Sequence, residues 1–96
     1  MNPTILGVLP KPLPDEIRKQ LERNTGVYVW VVRTDSPAFY SNILEGDVIL
    51  KMNGDDVTSV ENYVNKYMRL AGQKVDMEIW RNGQYKTISV QLNKRP

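Results

Sequence analysis

The architecture turns on Ser36–Val57, "SPAFYSNILEGDVILKMNGDDV", in which two glycines, each beside a polar residue, bracket the apolar run Val48-Ile49-Leu50. Ser36 can cap a helix whose first position is Pro37, where a missing N–H costs nothing. Asn42 ends that one- or two-turn helix, because asparagine tolerates the left-handed backbone conformation. The chain must then enter a buried strand over Asp47–Met52 and turn back within about ten residues. Gly46 supplies a conformation that other residues resist. Asp47 can accept hydrogen bonds from neighbouring loop N–H groups. Asn53-Gly54 is a strong tight-turn signal. The bracket is explained by geometry and requires no chemistry.

Toward the C-terminus, Ser59 can cap a helix with Glu61 in its first turn, where the helix dipole favours negative charge. Val60, Tyr63, Val64, Tyr67 and Met68 recur at helical spacing, and Ala71-Gly72 ends the run. The helix carries two stripes, Tyr63-Tyr67-Leu70 and Glu61-Val64-Asn65-Met68, and periodicity alone does not say which faces the core. "KVDMEIWR" (Lys74–Arg81) alternates Val75, Met77 and Ile79 against Asp76, Glu78 and Trp80. Asn82-Gly83 predicts a primed two-residue hairpin turn into "YKTISVQL", with Ile88, Val90 and Leu92 on one face.

Toward the N-terminus, "VYVWVV" (Val27–Val32) reads as a strand with both faces largely covered. A helix opens at Pro14 with Asp15 and Glu16, carries the stripe Ile17 and Leu21, and stops at Asn24 and Gly26. "ILGVL" (Ile5–Leu9) predicts a short strand containing Gly7. Pro10, Pro12 and Pro14 then keep the chain out of any central strand. The whole predicts a mainly β α+β domain of about five strands, a small antiparallel-rich barrel or sandwich capped by two main helices.

A chain of 96 residues with 41% apolar and 25% charged residues is one soluble-type domain, expected over 1–96 with its core at about 5–92 and a solvated tail at 93–96. Having neither cysteine nor histidine, it can form no disulfide, thiolate nucleophile, Cys- or His-type metal site or Ser-His-Asp relay. No metal or cofactor is expected. The remaining catalytic candidates are weak. Asp55-Asp56 reads as a solvated turn, Ser36 and Ser59 are explained as caps, and for a dyad with these serines or Ser41 no lysine is an obvious buried candidate. A net charge of +2 with no basic stripe argues against nucleic acid. No stretch approaches the roughly 18 apolar residues of a membrane span. Met1–Pro12 lacks the charged start and long apolar centre of a signal peptide.

Taken in order, Ser36-Pro37-Ala38, Gly46-Asp47-Val48-Ile49, Asn53-Gly54, a capped helix ending in Ala71-Gly72, and Arg81-Asn82-Gly83 resemble a PDZ domain. The pattern is similar to the bacterial, circularly permuted kind found beside HtrA-like serine proteases, site-2 proteases and C-terminal processing proteases. It runs from about Ile5 to Leu92. It departs from the family's Gly-Leu pair at Asn42-Ile43, where asparagine tolerates the glycine's conformation.

The resemblance implies a partly open barrel and a non-catalytic peptide-binding module, a recognition or regulatory part of a larger bacterial protein, extracytoplasmic (periplasm or cell envelope), with any catalysis outside this chain. A partner's chain end would add a strand to an exposed edge. Its carboxylate would meet the N–H groups of the loop Ile5, Leu6, Gly7 and Val8. A groove wall of Pro10, Glu61, Val64, Asn65 and Met68 would face an apolar last residue. Gly7 would let the anion approach the backbone. Val8 and Pro10 would take the alternate receiving positions, and Pro10 has no N–H, so one bond is lost and binding is weak. The domain is expected to be monomeric. The competing expectation is an assembly domain with a closed groove and an aromatic surface around Trp80.

Overall fold

Every strand but the first ends or begins at a turn the sequence announces. The computed structural model describes residues 4–95. Its elements are β1 (Val8–Lys11), α1 (Asp15–Leu21), β2 (Val27–Val32), α2 (Pro37–Tyr40), β3 (Val48–Met52), β4 (Asp55–Asp56), α3 (Val60–Arg69), β5 (Lys74–Arg81) and β6 (Gln84–Gln91). All pairings are antiparallel, in the order β1-β2-β3-β5-β6, with β4 on β3. The sheet curls without closing, so β1 and β6 are its edges. Among the described residues no helix is long and apolar enough to cross a membrane.

The local signals hold. Ser36 accepts a bond from the Phe39 N–H at 3.2 Å, and Ser59 accepts one from the Asn62 N–H at 3.0 Å. Asn42, Asn53 and Asn82 all have positive φ, as do Gly54 and Gly83, which gives both Asn-Gly hairpins their primed turns. Asp55-Asp56 is exposed as expected, yet it pairs with Lys51 and Met52 as a sixth short strand. The first helix ends sooner than expected, because Glu22 adopts the left-handed cap at φ 54°.

The inner sheet face carries Val27, Val29, Ile49, Met52, Val75, Met77, Ile79 and Val90, packed with Tyr63 of α3. A smaller cluster on the other face, Leu13, Val48, Leu50 and Trp80, lies against Ile17 and Leu21 of α1. This second cluster overturns the expectation of an aromatic surface around Trp80. The indole is only 7% exposed, because α1 covers the face that strand alternation had marked as polar. The cover is short. Trp30 of β2 stays 51% exposed, with the Lys11 ammonium 3.4 Å from its ring centroid, so the outer face of β2 is covered at Tyr28 but open at Trp30.

The strands are locked at one corner by charge. The Arg81 guanidinium donates to Asp47 through Nε at 2.8 Å and Nη2 at 2.7 Å, and Nη2 also donates to the Asn42 carbonyl at 3.0 Å. The Leu44 N–H donates to the same carboxylate at 2.9 Å. The Asp47 side chain is 2% exposed and that of Arg81 20%. Hydrogen bonding to Asp47 holds the guanidinium still more basic than usual, against the opposing pull of burial.

The segment after β6 is exposed at Lys94 and Arg95, yet it is tied to the rest of the domain. Asn93 donates its N–H to the Ile5 carbonyl at 3.1 Å and its Nδ2 to the Thr4 carbonyl at 2.8 Å, while Arg95 Nε donates to the Met68 carbonyl at 3.0 Å.

Removing either member of the corner pair leaves a buried charge unmatched. Asp47→Ala and Arg81→Ala are each expected to destabilise the domain by about 3 kcal/mol in urea unfolding, with the double variant well short of the sum. The Tyr63 hydroxyl is buried with no partner among the described residues, and burial first, then Tyr67, pushes its pKa well up. Tyr63→Phe is therefore expected to leave unfolding stability unchanged or raise it by about 1 kcal/mol, a reversal of the usual cost of a core change.

Candidate functional site

Residues 4–8 run in a conformation set from three distant places. The Thr4 and Ile5 carbonyls are taken by Asn93, the Leu6 carbonyl by the Ala38 N–H at 3.0 Å, and the Gly7 carbonyl by the Arg33 N–H at 2.8 Å. Four successive carbonyls thus point into the protein. The amides have the opposite sense, and no described residue accepts from the N–H of Leu6 or Gly7. Val8 lies opposite Val32, whose N–H donates to Glu45 Oε2 at 3.3 Å, away from β1. The Gly7–Arg33 bond makes Val8 and Val32 a pair that exchanges no bonds, so the Val8 N–H also faces outward. Three neighbouring donors thus form a backbone nest with no acceptor among the described residues.

Gly7 has a reason other than the expected one. Its φ is +95°, and a Cβ there would lie 2.1 Å from Ser36 Cβ and 2.2 Å from Ser36 Oγ. The missing side chain is filled by the helix cap behind the loop, while the amides face away from it. Gly7 also precedes β1 rather than lying inside it, because the strand begins at Val8 and runs on through Pro10 to Lys11, with a bulge after Leu9.

The nest opens into a cleft of about 500 Å³ that brings together Ile5, Leu6, Gly7, Val8 and Met68 of the expected site. Leu9, Arg33 and Tyr67 complete it with Thr4. Arg33 is the one charged residue lining it, so the cleft is electropositive. Pro10, Glu61, Val64 and Asn65 lie outside this lining. Val64 packs against the main core, Asn65 is exposed, and Glu61 lines a separate hollow of about 350 Å³ near Pro12 and Leu13. The helix stripes therefore divide by height as well as by face. Tyr63 is buried beneath the sheet, and Tyr67 and Met68, one turn further on, both reach the nest end.

Pro10 stands opposite Val29, which spends its N–H and carbonyl on Asp47 and Gly46 at 2.8 Å each. The Pro10 nitrogen consequently faces the open edge of the sheet. Tyr67 and Arg33 had no distinguishing signal in the sequence: Tyr67 shares a stripe with a core residue, and Arg33 follows a strand like any solvated arginine.

A hollow of similar size, about 520 Å³, lies beyond α2 between Val32, Phe39, Tyr40 and Leu44. Its amides at Asn42, Ile43 and Leu44 are already bonded to Phe39, Ala38 and Asp47. It offers a carboxylate no comparable donors. Among the described residues no group of His, Cys, Asp or Glu could hold a metal ion.

Comparison with known proteins agrees with this geometry. The family model described as PDZ domain matches residues 5–92. A protein of Marinomonas sp. (strain MWYL1) named "Probable periplasmic serine endoprotease DegP-like" is 36% identical over 95 residues, which is 95% of this chain and 20% of the relative. This chain thus spans about a fifth of that relative's length, and the expected extracytoplasmic setting matches the periplasmic one in its name. The solved structure of the HtrA-type protease AlgW with decapeptide superposes with a TM-score of 0.82 at 31% identity, covering 99% of this chain and 30% of that one. The HtrA3 PDZ domain bound to a phage-derived ligand, FGRWV, shares the fold with a TM-score of 0.79 at 20% identity, over 97% of this chain and 88% of that one.

Gly7→Ala is expected to destabilise the domain by about 2 kcal/mol or more, since the new Cβ meets Ser36 and the φ is strained, and thermal unfolding checks it.

Proposed function

The chain belongs to the PDZ-domain family, and from that premise we propose that it is a single domain that captures the apolar C-terminal end of a protein chain by strand addition to β1. The observation that carries this reading is the polarity of residues 4–8, with carbonyls inward and the amides of Leu6, Gly7 and Val8 outward. A terminal carboxylate is the group that three such donors fit, and an amide or an internal peptide bond brings no matching charge. The last side chain enters the cleft between Leu6, Val8 and Met68, which favours an apolar residue.

The module acts as a monomer and performs no hydrolysis itself. The peptides in the structures of AlgW and HtrA3 support peptide binding, and the names of the relatives support a place within a larger envelope protein whose catalysis lies outside these residues.

The test is an NMR titration with a pool of peptides ending in free apolar carboxylates, beside the same peptides amidated. Shifts at the amides of Leu6, Gly7 and Val8 and at Met68, seen with the free acids alone, are the expected outcome. Equal response to the amides, or none at these residues, sinks the reading.

Pro10 denies the ligand one bond at the open edge. Pro10→Ala is therefore expected to tighten binding of the free-acid peptides by roughly 5-fold in isothermal titration, the equivalent of one net hydrogen bond.

A further inference from the structure

An added strand has two faces, and the apolar part of the cleft at Leu6, Val8 and Met68 accounts for one. Successive side chains alternate, so when the last residue turns inward over Val8, the second-to-last turns to the opposite face of the sheet. Leu9 pairs with Val31 on that face, and Arg33, two residues beyond Val31, shares it. Leu9 is 38% exposed, Arg33 is exposed, and both line the cleft. The Arg33 backbone is fixed beside the nest by its bond to Gly7. Among the described residues its guanidinium has no carboxylate within ion-pair distance and no hydrogen-bond acceptor, and no acidic residue lines the cleft. Arg95, which also reaches this end, is engaged with the Met68 carbonyl.

We propose that Arg33 is a specificity-determining residue that selects ligands with an acidic side chain at the second-to-last position. This rests on the reading of chain-end capture given above. The terminal carboxylate is met by the backbone nest, which leaves the unpaired guanidinium for the neighbouring side chain. Leu9 offers apolar surface to the methylenes of a glutamate there. The preference is electrostatic and solvent-exposed, so it is modest and sensitive to salt.

The experiment titrates the 96-residue chain with short free-acid peptides that share an apolar last residue and carry Glu, Gln or Lys before it, at low ionic strength. The unaltered chain is expected to favour Glu over Gln by roughly 2- to 5-fold, and Lys to be weakest. Arg33→Gln is expected to abolish the order, Arg33→Glu to reverse it, and high salt to flatten it. If Arg33→Gln weakens all three peptides equally, Arg33 serves the terminal carboxylate and the proposal is overturned. If all three bind the unaltered chain with equal affinity, the proposal also falls while chain-end capture stands. If no free-acid peptide binds, chain-end capture itself falls and takes this proposal with it.

Discussion

The buried ion pair between Asp47 and Arg81 holds the corner from which the site is built. It joins the end of β5 to the start of β3 and gathers the Leu44 N–H and the Asn42 carbonyl around one carboxylate. With Gly46 bonded to Val29, the loop after α2 has little freedom. That in turn fixes α2, whose first residues press Ser36 into the space at Gly7 and offer the Ala38 N–H to Leu6. The segment next to this corner thus contacts the loop at Leu6 and Gly7 directly. Such a pair gains little net energy once its desolvation is counted, but it is costly to half-remove, and that asymmetry makes it a device for geometry.

The nest follows from the same accounting of backbone groups. A buried carbonyl must be paired, and the carbonyls of residues 4–7 find donors on Asn93, Ala38 and Arg33. With the carbonyls turned inward, the amides have nowhere to face but the cleft. A carboxylate that met those N–H groups would gain charge-assisted bonds. Pro10 limits the same edge. Its missing N–H interrupts any ladder along that edge, which guards an open sheet against aggregation.

Local physics was legible throughout. A serine cap accepts from an N–H three residues on, and an Asn-Gly pair adopts two positive φ values whatever surrounds it, so Ser36, Ser59, Asn53-Gly54 and Asn82-Gly83 could be read directly. The order of strands and helices and the inward faces of β5 and β6 followed from periodicity. Trp80 misled because strand alternation records which residues share a face and not what covers that face; α1 covers it, from a part of the chain well before β5 in sequence. The two stripes of α3 could not be ranked for the same reason.

By itself the sequence determined the short-range structure, the family pattern and the absence of cysteine and histidine chemistry, because each depends on residue types within a few positions of one another. Through the resemblance it also grouped Ile5, Leu6, Gly7, Val8 and Met68 into one expected site, together with Pro10, Glu61, Val64 and Asn65, which lie outside the cleft. Only the tertiary structure decided why Gly7 is glycine, that Asp47 meets Arg81, that Asn93 holds the loop, and that Tyr67 and Arg33 reach the cleft beside Met68. Each of these is a contact between segments distant along the chain, and a linear pattern carries no information about which distant segments the packing of a core will bring together.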